Sequence, residues 1–141
     1  IDTTWQLAEI VAGVVRSRQR QREIMRHPAT RTFQAIRIHI NQELKELSIT
    51  LPQSVELLSV GGRLVVISFH SLEDRLVKQF IQRETSAPSL PRQIALRQEE
   101  LQRWGKQKLK WIGKIRPGPD ELKNNPRARS AIMRVAERIA Q

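Results

Sequence analysis

The octapeptide Ser68-Phe69-His70-Ser71-Leu72-Glu73-Asp74-Arg75 packs hydroxyls, an imidazole, two carboxylates and a guanidinium into one short stretch. It follows directly on Leu64-Val65-Val66-Ile67, an uninterrupted and largely β-branched run that predicts a strand. In open α/β sheets ligands bind beyond the carboxyl ends of strands, so groups gathered there are placed to orient a substrate and move a proton. The same residues have a plainer use. Ser71 can cap the helix that follows while Asp74 reaches back to it, a variant of the capping box. Capping does not account for His70, Glu73 and Arg75 together. A histidine at a strand end is as open to a structural role as to a chemical one.

Two further segments carry groups suited to an anion. His27-Pro28-Ala29-Thr30-Arg31-Thr32-Phe33-Gln34 opens a helix. It reads either as a helix start with proline in the first turn and Phe33 in the core, or as backbone donors with Arg31 as an anion clamp. In Asn125-Pro126-Arg127-Ala128-Arg129-Ser130 two arginines flank a constrained turn, suited equally to phosphate and to acidic side chains of the protein itself. Trp104 and Trp111 lie among Arg103, Lys106, Lys108, Lys110 and Lys114. Such tryptophans are more often core anchors, and otherwise stack on unpaired bases.

The elements that must hold these groups follow from periodicity. Leu7, Ile10, Val11, Val14 and Val15 recur at helical spacing, with Thr4 placed as the cap and Arg16, Arg18, Arg20, Arg22 and Arg26 as a basic tail. Phe33, Ile36, Ile40, Leu44 and Leu47 form one stripe about four turns long. Pro52 opens a short helix with Val55, Leu57 and Leu58 that ends before Gly61-Gly62. Leu64–Ile67 suits a strand buried on both faces of a parallel sheet, followed by a helix with Leu72, Leu76, Val77, Phe80 and Ile81. Thr85 to Arg92 reads as loop, and the Gln- and Arg-rich segment to about Lys106 as a helix candidate. A short strand follows from Leu109 to Ile115, interrupted at Gly113. After the Pro117-Gly118-Pro119 turn and one helical turn, Ala131 to Ile139 alternates as a final strand, with a helix as the other reading. About three strands are too few to enclose Val65–Ile67, so further strands are expected from upstream sequence or from another chain.

Bulk properties narrow the partners. The net charge of +11 is spread as about +3 over residues 1–50, about zero over 51–90 and about +8 over 91–141, the footprint of a polyanion partner. Nucleic acid is favoured over an anionic membrane, because the basic stretch lacks a broad apolar face. The absence of cysteine excludes disulfides and thiolate metal sites, and no apolar run is long enough to span a bilayer. There is no glycine-rich phosphate loop, metal-ligand cluster or nucleophile elbow, and no Asp/Asn-Pro-Pro-aromatic tetrapeptide. The chain starts at Ile1, so upstream sequence is expected.

Three blocks carry a family resemblance: HPATRTFQAIRIHINQEL at residues 27–44, GGRLVVISFHSLEDRLVKQF at 61–80 and NPRARSAIMRVAERI at 125–139. With them the chain resembles the ribosomal small-subunit RNA methyltransferase H family, also called MraW. The resemblance implies an α/β fold: an incomplete class I, Rossmann-like methyltransferase sheet with part of a helical insertion domain. Residues 1–47 would be the C-terminal part of the insertion and 48–141 the C-terminal half of the methyltransferase domain. It implies methyl transfer from S-adenosylmethionine to the exocyclic amine of a cytidine in small-subunit rRNA, in the cytoplasm, with the donor-binding half upstream. Catalytic candidates are then Ser68, His70, Ser71, Glu73 and Asp74. RNA-binding candidates are Arg31, Thr32, Phe33, Arg75, Asn125, Arg127 and Arg129. The other readings are a non-catalytic RNA-binding module of ribosome assembly, and a folding remnant whose open sheet edge is covered by a homodimer.

Overall fold

The computed structural model describes residues 1–18, 27–86 and 107–140, and the chain divides into two compact units, residues 1–43 and 44–141. The basic residues Arg20, Arg22 and Arg26, the loop and helix expected between Thr85 and Lys106 beyond Ser86, and Trp104 lie outside the described residues.

The first unit holds helices α1 (Thr4–Arg18) and α2 (Thr30–Asn41). Thr3, not Thr4, caps α1: its hydroxyl accepts from Gln6 N–H at 3.2 Å, and Gln6 Oε1 accepts in return from the backbone of Asp2 and Thr3. The cap sits one residue early because Gln6 supplies the return bond that a cap at Thr4 would lack. His27-Pro28 stands before α2 rather than in its first turn. His27 Nδ1 accepts from Ala29 N–H at 3.2 Å, and Ala29, fully buried, holds the cap position. The expected continuous stripe from Phe33 to Leu47 breaks at Gln42, whose φ of 53° is left-handed. A single residue of this kind ends one helix and starts the next while the three- and four-residue spacing of apolar residues runs on across it. Gln42 caps α2 through both its backbone and its side chain on His39 O, and Arg37 forks onto Glu43 at 2.8 and 3.1 Å across the break.

Helix α3 (Glu43–Leu57) carries Pro52 in its interior, not at its start. The missing proline N–H leaves one carbonyl without its helical donor. Apolar residues on both sides of it, Leu51 and Val55, are nevertheless buried in the core, and that packing outweighs the break. The second unit then runs β1 (Arg63–Ser68), α4 (Ser71–Thr85), β2 (Leu109–Ile115), α5 (Pro119–Asn124), a 3₁₀ turn (Pro126–Ser130) and β3 (Ile132–Arg138). All three expected strands are present, and the helical alternative for the last one is excluded.

Their pairing corrects the expected parallel sheet. The order is β1-β3-β2, and β3 lies antiparallel to both neighbours. The two outer strands therefore run parallel to each other without touching. Ser68 faces Ile132 and Leu64 faces Ala136, while Gly61 and Gly62 extend the ladder to Arg138. Gly62 has no room for a Cβ, which would lie 2.8 Å from Ser59 O. The interruption expected at Gly113 is a bulge between Trp111 and Gly113.

The core lies on one face only. Leu51 and Val55 of α3 and Val77, Phe80 and Ile81 of α4 cover Leu64, Leu109 and Ala136. Val65 and Ile67 point to the opposite face and are 50% and 54% exposed, so β1 alternates instead of being buried on both sides. A β-branched run is the same in a doubly covered strand and in one whose second cover is not among the described residues. Arg138, buried in this layer, donates to the carbonyls of Val55, Glu56 and Leu58 and satisfies the end of α3.

Candidate functional site

Antiparallel pairing of Ser68 with Ile132 and of Ile115 with Met133 brings three chain segments to one end of the sheet. They are the loop from β1 into α4, the exit of β2 at Arg116, and the turn that enters β3. The strand-end loop and the Asn-Pro-Arg segment, far apart in sequence, are thus neighbours across the ladder.

The loop is built around Glu73. Its Oε2 accepts from the N–H of Phe69 at 2.9 Å and of His70 at 3.2 Å. His70 has extended backbone, and its Nδ1 accepts from Glu73 N–H at 3.3 Å, so the pair closes a capping box. The cap is His70 with Glu73, not Ser71 with Asp74 as the sequence suggested. Histidine fills the role because Nδ1 offers an acceptor at the reach of a short polar side chain. With Nδ1 accepting, the proton of a neutral ring sits on Nε2. That atom is buried and makes no hydrogen bond among the described residues. Glu73 Oε1 lies 3.2 Å away, but off the donor direction.

Asp74 turns instead toward the sheet. Its carboxylate takes Arg134 in a fork at 2.7 and 3.0 Å, both side chains being largely buried. The Arg134 hydrogen bond holds the Asp74 carboxyl below its usual range, helped by the charges of Arg134, Lys114 and Lys78 and opposed by partial desolvation. Ser68, 2% exposed, closes the core side of the strand end, whereas Ser71 and Arg75 face solvent.

On the other segment, Asn125 Nδ2 donates to Glu121 Oε1 at 3.1 Å, and Asn125 O accepts from Ala128 N–H at 3.0 Å. Buried Ala128 anchors the turn, and Arg127 and Arg129 on either side of it are exposed. Neither arginine pairs with an acidic side chain among the described residues. Nine of the twelve sequence-derived candidates therefore gather at this end of the sheet. Arg31, Thr32 and Phe33 belong to the first unit, where His27, Thr30, Phe33, Gln34 and Arg37 line an open groove of about 460 Å³. Of the three, Phe33 lines it; Arg31 is exposed on the outside of the helix start.

One residue at the sheet end escaped the sequence reading. Phe69 is 57% exposed, while its backbone is pinned by Glu73. Its position one step beyond a strand of alternating burial was the available signal, because the alternation turns it away from the core that receives Ser68. The arrangement offers an exposed aromatic side chain on a pinned backbone, one buried imidazole nitrogen without a hydrogen bond and several exposed arginines. Such a set suits a planar group attached to a phosphate backbone.

The comparisons with known proteins agree with the sequence blocks. The model of the MraW methylase family matches residues 1–139. Proteins named ribosomal RNA small subunit methyltransferase H are similar to the chain. The one from Nitrosomonas eutropha is 65% identical over 140 residues, 99% of this chain and 44% of the relative. That from Nitrosospira multiformis is 58% identical over 97% of this chain and 43% of its own length. That from Burkholderia mallei is 52% identical over 99% and 42%. The chain spans less than half the length of these curated relatives. With a family match across almost every residue, the chain belongs to the MraW methylase family.

Proposed function

We propose that the protein to which this chain belongs transfers a methyl group from S-adenosylmethionine to the N4 amine of a cytidine in small-subunit rRNA, in the cytoplasm. Residues 48–141 contribute the C-terminal half of the methyltransferase domain and residues 1–47 the end of a helical insertion. The observation that carries this reading is the exposed, backbone-pinned Phe69 beside an unsatisfied His70 Nε2 at the end of β1, with Arg75, Arg127 and Arg129 exposed at the same end.

The chemistry asks for such a surface. A cytosine amine is a poor nucleophile because its lone pair is delocalised into the ring, so the base must be taken out of its stack and held at a fixed angle. Phe69 offers the stacking face. His70 Nε2, buried and without a hydrogen bond, reaches a base edge only after the loop shifts to admit it, and the arginines position the flanking phosphates. Glu73 and Asp74 act on this site by shaping it, since Glu73 Oε2 is occupied by the Phe69 and His70 backbones and both Asp74 oxygens by Arg134. For the same reason these carboxylates do not fit the ribose hydroxyls of a methyl donor. No glycine-rich turn stands at the end of β1 either. The donor site is assigned to the remaining length that the relatives possess.

A non-catalytic RNA-binding module would use the same arginines, and salt-dependent RNA binding does not separate the two. Methyl transfer does. Full-length protein incubated with labelled donor and unmodified small subunits should place label on one cytidine, recovered as the N4-methyl nucleoside after nuclease digestion. Label on no nucleoside, with RNA binding intact, would leave the module.

A further inference from the structure

Trp111 is not a core anchor. It lies on β2, an outer strand of the described sheet, opposite Ala136 on the helix-covered face, and it is 41% exposed. The guanidinium of Arg134 stands 5.8 Å from the ring centroid. That guanidinium is itself buried and forked onto Asp74, so it cannot swing away, and the indole is braced by a fixed cation.

Two further cations lie near the Asp74–Arg134 pair that braces this ring. Lys114 faces Arg134 across the ladder, and Lys78 lies one helical turn after Asp74 on α4. Both are exposed and close enough for their charge to act on Asp74. Asp74 is already matched by Arg134, so the two lysines make the local balance positive. Lys108 differs, being engaged with Glu56 at 2.6 Å, and Lys110 stands opposite Glu137. Lysines alone on an outer strand would be explained as guards against edge-to-edge pairing. That role requires neither Lys78, which is on a helix, nor a half-exposed tryptophan.

We infer that Trp111, Lys78 and Lys114 form a docking surface for single-stranded RNA, the indole stacking on an unpaired base and the two ammonium groups taking neighbouring phosphates. The inference rests on RNA being the substrate, and it adds a second contact to the one assigned to Phe69. Stacking on an aromatic face tolerates any base, and lysines bind phosphate as point charges. The surface therefore supplies affinity and register for the strand that flanks the target and leaves choice of the base to the end of β1.

The test uses full-length protein and a fluorescent uridine-rich oligonucleotide, with anisotropy read over a range of salt. Trp111→Ala should weaken binding about tenfold and Trp111→Phe should restore most of it. Lys78→Gln with Lys114→Gln should lower the slope of log K against log salt by about 1.4, two phosphates' worth for a single strand. Ultraviolet cross-linking of the unmutated protein should place an adduct on the tryptic peptide 111–114, a readout that survives if Trp111→Ala does not fold. Unchanged affinity and slope in folded variants would overturn the inference, as would adducts that avoid that peptide or no binding by the unmutated protein. Methylation of the subunit by unmutated protein is scored in parallel, so the enzyme reading can stand while this surface falls.

Discussion

Among single residues, the pair formed by Asp74 and Arg134 decides most. Arg134 is 6% exposed, and its charge is offset within the layer by one carboxylate fork. Asp74→Asn would leave a buried guanidinium without its counter-charge, at a cost of about 3 kcal/mol, read as a lower midpoint in denaturant. The pH dependence follows from the depressed carboxyl. Its stabilisation is present above the unfolded value, about 3.9, and is lost as pH falls through the lower folded value. Denaturant midpoints measured from pH 5 downward should therefore fall in the unmutated chain, and the Asp74→Asn chain should lose that contribution to the slope. Equal slopes would place the acid sensitivity elsewhere. Arg134 also braces Trp111, so the same substitution should raise the solvent quenching of that indole.

At the scale of elements, the N-terminus of α4 separates two uses of one histidine. His70→Ala removes the acceptor for Glu73 N–H and should cost about 1 kcal/mol, whereas His70→Asn keeps a cap of equal quality. If Nε2 holds the substrate, both variants lose turnover by tenfold or more, although only the first loses stability. Full turnover in His70→Asn would confine the imidazole to capping. This helix also marks where the sequence stops being legible. Alternation revealed β3, the β-branched run revealed β1, and glycine revealed the bulge in β2, because each signal is local. The identity of the cap was not local. Ser71 and Asp74 have the right types, but Asp74 is claimed by Arg134, sixty residues away. Strand direction was hidden for the same reason, since an apolar run has no polarity until its partner is known. Gln42 in a left-handed conformation and Pro52 inside α3 were hidden too, both held by tertiary packing or side-chain bonds against their own propensities.

For the whole molecule, the sheet face that carries Val65 and Ile67 is the one left half-exposed among the described residues. The relatives are more than twice as long, and the chain's own helices cover the opposite face. If the rest of the protein packs on this open face, the same substitution must have two different costs. Ile67→Thr in the 141-residue chain removes an apolar group already half in water, and should change stability by less than about 0.5 kcal/mol. In the full-length protein the same change would strip a buried methyl group and strand a hydroxyl, at about 2 kcal/mol. The donor follows the same division. Calorimetry should detect S-adenosylmethionine binding to the full-length protein and none to this chain, in which both Asp74 oxygens and Glu73 Oε2 are already bonded. Binding to the short chain alone would put the donor on its own residues and undo the assignment of that site to the further length that the relatives possess. Equal, small costs for Ile67→Thr in both proteins would mean that the open face is a true outer surface. The class I sheet would then have to be abandoned even if the methylase activity were real.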